Sequence, residues 1–194
     1  MRRIDLQDQE TPAAVARALE AGDVVVLPTD TIYGLSAAIH RRDTFDRILA
    51  LKGYETARPF VHLADSIDMV ARYISGWGCG SEAELRRIWP APLTAVLPCG
   101  GRAPDWVGET IAFRVPNAPR LLRVIGEVGE PIVSSSVNRS GENPLTNVDA
   151  IIEAFGSEID LIVVGETVGG GVTSTIVDFT GEKPSVIRQG AYAW

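Results

Sequence analysis

The pattern that most constrains this chain is the interleaving of short apolar runs with capped helical stretches, closed by two strand-like runs with no helix between them. Val24-Val25-Val26-Leu27 is apolar throughout, as a strand buried on both faces requires. Before it, residues 11–21 open on Thr11-Pro12 and stop at Gly22, so they read as a helix capped by Thr11. Asp43 is placed to cap a second helix, which shows Phe45, Ile48 and Leu49 on one face and ends near Lys52-Gly53. Strands at 60–63, 93–97, 111–115, 131–135 and 159–164 then alternate with helices at 66–73, 82–89, 118–125 and 148–155, with Ser81 and Asn147 as caps for the second and last of these helices. The closing runs, 174–179 and 185–188, follow each other directly, which implies antiparallel pairing. The expectation is an α/β fold with a mixed parallel and antiparallel sheet and packed helices. No composition shift or repeat divides residues 1–194, so a single domain is expected.

Charge and composition narrow the function. With 25 acidic residues against 18 basic ones, the net charge of -7 excludes a surface wholly wrapped by nucleic acid, because phosphate neutralisation needs clustered Lys and Arg; local basic patches stay open. Cys79 and Cys99 belong to no CxxC motif and His40 and His62 are the only histidines, so free thiols and no zinc site are expected. No run approaches the roughly 18–20 apolar residues that cross a bilayer, and Met1-Arg2-Arg3-Ile4-Asp5 lacks a signal peptide's apolar stretch, so a cytoplasmic protein is expected. GxxxxGK[ST], HExxH and GxSxG are absent. Gly78-Cys79-Gly80-Ser81-Glu82-Ala83 fits the pattern G-x-G-x-x-A, but residues 73–77 read poorly as the strand that a dinucleotide site needs before it.

Three segments carry concentrated polar chemistry. Pro28-Thr29-Asp30-Thr31 follows a buried strand, where α/β sheets tend to bind ligands, and reads either as a ligand loop or as a capped turn. Ser134-Ser135-Ser136-Val137-Asn138 places Ser134 and Ser136 on one face if extended, which suits phosphate oxygens or a polar hairpin. Gly169-Gly170-Gly171-Val172-Thr173-Ser174 joins backbone permissiveness to hydroxyls. Arg114 and Arg188 each sit in a strand of small or apolar residues, so each needs a partner, either a structural carboxylate or an anionic substrate.

Taken together, the blocks resemble the YrdC family of threonylcarbamoyl-AMP synthases. They are Pro28-Thr29-Asp30-Thr31-Ile32-Tyr33-Gly34-Leu35, Lys52-Gly53 with Arg58-Pro59, Trp89-Pro90-Ala91-Pro92-Leu93-Thr94, Arg114-Val115-Pro116, residues 131–141, Ser174-Thr175-Ile176-Val177-Asp178 and Ile187-Arg188-Gln189-Gly190, in the family's order. The resemblance implies a twisted α/β sheet enclosing a deep cleft. It also implies a nucleotidyltransferase that joins L-threonine, bicarbonate and ATP into threonylcarbamoyl-AMP, with pyrophosphate released and Mg2+ accompanying the nucleotide. The product would pass to a tRNA threonylcarbamoyl transferase complex. Carried over by motif, Thr31, His62, Arg114, Ser134 and Ser174 surround threonine, while Lys52, Arg58, Thr110, Ser136 and Arg188 contact ATP. The family's Lys-x-Arg motif is altered: Tyr54 stands at the arginine position, and Arg58 is the candidate to supply that charge. Val137 replaces the usual alanine of Ser-Ala-Asn. A diverged member acting on another small molecule and an RNA-binding module are the competing readings.

Overall fold

The computed structural model describes residues 1–54, 59–165, 167 and 171–194. Among them, ten strands form one mixed sheet in the order β1-β8-β2-β3-β7-β4-β6-β5-β9-β10. In chain order these are β1 (Arg2–Asp5), β2 (Val25–Leu27), β3 (Gly34–Ala38), β4 (Val61–Leu63), β5 (Leu93–Pro98), β6 (Thr110–Arg114), β7 (Ile132–Ser136), β8 (Leu161–Val164), β9 (Thr175–Asp178) and β10 (Ser185–Arg188). The helices are α1 (Thr11–Ala21), α2 (Arg42–Lys52), α3 (Ile67–Ala71), α4 (Glu82–Ile88), α5 (Pro119–Val128) and α6 (Val148–Phe155). β8 runs parallel to β1 and β2, β4 to β6, and β5 to β9, whereas β3 and β7 pair antiparallel with each other and with their outer neighbours β2 and β4. The expected antiparallel closing pair is β9 with β10.

Burial explains why the all-apolar runs became interior strands. Every side chain of β2 is buried, as are Leu35, Leu161 and Ile162 on its neighbours β3 and β8, and Ile132 and Val133 one strand further on in β7. α1 packs against α5 and against β3, while α2 packs on β3, so helices cover this part of the sheet. β6 alternates as its sequence requires: Ile111 and Phe113 are buried in the core, and Arg114 turns toward a cleft.

Several details differ from the sequence reading. β1 and β3 were not expected. β1 is largely exposed, with charged ends, and β3 is Gly-Leu-Ser-Ala-Ala, so small residues hide a strand that is buried at every position. Thr11 lies inside α1 and spends its hydroxyl on the Asp5 carbonyl, leaving Glu10 at the cap position without a side-chain cap. Ser81 stands at the cap position of α4 as read, but its backbone takes right-handed helical angles and its hydroxyl bonds back to the Trp77 carbonyl, so the expected capping box does not form. Asp43 sits in the first turn of α2 and pairs with Arg41. The G-x-G-x-x-A match has a packing cause: Gly78 has φ +63°, and a Cβ there would run into the Phe179 carbonyl.

The Asn147 cap of α6 is present as read, its side chain accepting from the amides of Asp149 (2.8 Å) and Ala150 (3.2 Å). Asn147→Ala is expected to lower folding stability by about 1 kcal/mol, with Asn147→Ser close to wild type, as measured by chemical denaturation.

Candidate functional site

The site begins in the loop between β2 and β3. Thr29 Oγ1 donates to the Ile32 carbonyl (2.7 Å) and accepts from the amides of Thr31 (3.1 Å) and Ile32 (3.2 Å), which folds residues 29–32 into a compact turn. A hydroxyl donates only once, so in the 2.9 Å contact between Thr29 Oγ1 and Thr31 Oγ1 the proton comes from Thr31. Thr31 Oγ1 is then an acceptor for Arg114 Nη1 at 2.9 Å, while Arg114 Nη2 reaches Thr29 Oγ1 at 3.4 Å. A directional chain therefore runs from the guanidinium through two hydroxyls to a backbone carbonyl.

Arg114 stands at the end of β6, and burial drives its pKa down, opposed by nearby Asp30 and reinforced by Arg188. Asp30 Oδ1 is 3.6 Å from Arg114 Nη2, and Asp30 Oδ2 accepts from the Asn117 amide at 2.9 Å.

β7 supplies the serines. Its register sets Ser134 opposite Ser36 on β3 and Val61 on β4, and Ser136 opposite Gly34. A Cβ at position 34 would collide with Ser134 Oγ, so glycine there lets that hydroxyl keep its place. Behind the serines, buried Lys52 donates from Nζ to the carbonyls of Ser136 (2.7 Å) and Asn138 (3.1 Å) and to Asn138 Oδ1 (2.9 Å). Burial pushes its pKa down to about 8. The three donors of the ammonium are thus matched by acceptors of the loop after β7.

The far wall comes from the closing strands. Ser174 Oγ shares a 2.8 Å hydrogen bond with Thr94 Oγ1 of β5, and Arg188 on β10 donates to the Ser174 carbonyl from Nη2 (2.8 Å) and Nε (3.2 Å).

Thr31, Arg114, Ser134, Ser136, Ser174 and Arg188 all line one cavity of about 360 Å3. Two other expected site residues, His62 and Thr110, line a neighbouring cavity of about 180 Å3 that shares Pro59 and Phe60 with the first. Lys52 supports the loop from behind and is not part of the cavity lining. Arg58, Gly169 and Gly170 lie outside the described residues. Tyr54, at the altered motif position, lines the main cavity. Asp30, Thr94, Asn117 and Asn138 were not among the expected site residues. Their roles depend on contacts distant in sequence, apart from Asn138, whose place two residues after Ser136 was visible.

A chamber lined, among the described residues, by two guanidiniums and seven serines and threonines suits two anionic groups held close together. The family model described as Sua5/YciO/YrdC, telomere recombination, matches residues 17–190. The chain belongs to the Sua5/YciO/YrdC family. It is similar to threonylcarbamoyl-AMP synthase of Pseudoalteromonas translucida, 31% identical over 179 residues that span 89% of this chain and 95% of the relative. The corresponding protein of Halorhodospira halophila is 33% identical over 178 residues, 90% of this chain and 87% of the relative. Among solved structures, Pyrococcus abyssi Sua5 complexed with L-threonine superposes with a TM-score of 0.88 at 28% identity, covering 97% of this chain and 57% of that one. The Sua5/YciO/YrdC chain thus spans little more than half the length of that solved relative.

His62 of this family member is buried, with Nδ1 3.3 Å from the Ala112 carbonyl. A carbonyl only accepts, so Nδ1 carries the proton; Nε2 has no partner among the described residues. Burial pushes the His62 pKa from 6.5 down to about 4. Between those values the unfolded chain binds a proton that the folded chain refuses, so stability is full above pH 6.5 and falls as the pH drops toward 4. This residue is expected to contribute up to about 3 kcal/mol of that acid loss. His62→Gln should flatten the corresponding slope in denaturation midpoints measured from pH 7 to pH 4.5.

Proposed function

We propose that this protein is a nucleotidyltransferase that joins L-threonine, bicarbonate and ATP into threonylcarbamoyl-AMP, with release of pyrophosphate. The observation that carries this reading is that Arg114 of β6 and Arg188 of β10 face one hydroxyl-lined cavity. An amino acid's carboxylate and a nucleotide's phosphates repel each other, and the buried Arg114 guanidinium together with the more exposed Arg188 offsets that repulsion. In this reading Arg114 pairs with the threonine carboxylate, with Thr31, Ser134 and Ser174 around the rest of the amino acid. Ser136 and Arg188 contact ATP, and Lys52 acts on the nucleotide by fixing the loop that carries Ser136 and Asn138. His62 and Thr110 approach the substrates from the adjoining cavity.

The chemistry asks for positioning more than for a protein nucleophile. Bicarbonate and the threonine amine condense to a carbamate with loss of water. A carbamate oxygen then attacks the α-phosphorus, a phosphorus–oxygen bond forms, and the bond to the β-phosphate oxygen breaks as pyrophosphate leaves. Holding attacker and phosphorus together removes much of the entropic barrier, and fixed N–H donors stabilise the charge that gathers on the phosphoryl oxygens. Magnesium enters as part of the nucleotide substrate. The mixed anhydride is the form handed to a tRNA threonylcarbamoyl transferase, which places this protein's work in the cytoplasm beside tRNA.

Pyrophosphate release from ATP is expected to require threonine and bicarbonate together, followed by a coupled phosphate assay; release that ignores threonine refutes the reading. Arg114→Ala removes a charge-assisted contact of roughly 1.5–3 kcal/mol and should raise the threonine KM correspondingly while ATP affinity, read by calorimetry, changes little.

A further inference from the structure

Asp30 is a carboxylate with almost no access to water: its side chain is 4% exposed, and that of Arg114 beside it is 7% exposed. Its two oxygens are treated differently. Oδ2 accepts the Asn117 amide, tying the β2–β3 loop to the turn after β6, while Oδ1 finds no hydrogen-bond donor among the described residues and lies 3.6 Å from Arg114 Nη2. A buried ion pair with such loose geometry adds little to folding, since desolvating both charges costs as much as their attraction returns. A stability role therefore accounts poorly for its presence.

Arg114 supplies a better account. Its only hydrogen-bond partners among the described residues are the hydroxyls of Thr31 and Thr29, and its Nε has none. Arg188 adds a like charge facing the same cavity, which by itself pushes the Arg114 guanidinium away. Asp30 does not line the cavity, so it meets the guanidinium from outside the substrate space. We propose that Asp30 is a positioning residue: its carboxylate holds Arg114 between the two threonine hydroxyls, against the repulsion of Arg188, so that the remaining N–H donors meet the carboxylate of the amino-acid substrate. Asp30 supplies a point charge at the right place, and its second oxygen fixes where that charge stands by gripping the chain just beyond Arg114. This inference rests on the threonine reading of the cavity.

The test is calorimetric titration of L-threonine and, separately, of ATP into the wild-type protein, Asp30→Asn, Arg114→Ala and the double variant, each checked for an intact thermal transition. Asparagine keeps an oxygen for the Asn117 amide, removes the charge and turns an NH2 in place of Oδ1 toward Arg114. Asp30→Asn is expected to weaken threonine binding by about tenfold or more and ATP binding by less than about threefold, as loss of a charge pair acting through one ligand contact should. Added to Arg114→Ala, it should weaken threonine no further, because the group it positions is gone. Unchanged or tighter threonine binding in Asp30→Asn, or additive losses in the double variant, overturns the proposal. If Asp30→Asn does not fold, Asp30→Glu decides: it keeps the charge and displaces it, so wild-type threonine affinity there likewise overturns the positioning role. Failure of the wild-type protein to bind threonine at all refutes the functional reading instead.

Discussion

A guanidinium cannot be taken out of water without a surrounding built to hold it, and in this protein that surrounding organises the rest. Arg114 ends β6 in the middle of the sheet, beneath a loop whose threonines are already fixed by their own backbone contacts. The Thr29–Thr31 turn can be this rigid because β2 and β3 on either side of it are wholly buried, and β3 in turn aligns the serines of β7. Core packing therefore reaches the cavity through two strand registers and one hydroxyl chain. Removing water from such a site strengthens each charge it contains, and the same removal makes every misplaced charge expensive.

Lys52 and Arg188 show two other ways of using a cation. Lys52 is enclosed by carbonyls and an amide oxygen, and its work is architectural: it bends the chain after β7 so that Ser136 and Asn138 stay together. Arg188 grips the Ser174 carbonyl with two nitrogens, leaving its orientation set while one side faces the cavity. Of the four cations expected from sequence to meet substrate, Arg58 lies outside the described residues, Lys52 holds the loop after β7, and Arg114 and Arg188 line the cavity.

Much of this was legible in the sequence. The all-apolar run at β2, the alternation in β6 and the Asn147 cap each leave a local signal, and each appears where it was read. β3 was missed because glycine, serine and alanine carry no apolar pattern, although the strand is buried through its position between β2 and β7. The Thr11 and Ser81 caps failed for a related reason: both hydroxyls found carbonyls outside the cap geometry, a competition that local propensity does not resolve. Most of the cavity residues were found from their motifs. The separation of His62 and Thr110 into an adjoining cavity, the inward turn of Lys52 and the partnership of Asp30 with Asn117 depend on where strands distant in sequence come to lie side by side.

The strand order has a consequence for how such a protein is made. β9 and β10 attach beyond β5, on the opposite flank of the sheet from β2 and β8, so the arm bearing Arg188 joins a sheet whose other strands all precede it in the chain. During synthesis, the amino-terminal share of the chamber can pack before residue 188 has left the ribosome. The chamber acquires its second positive wall only as the final hairpin zips on, and until then a nascent chain presents one guanidinium to a half-open trough.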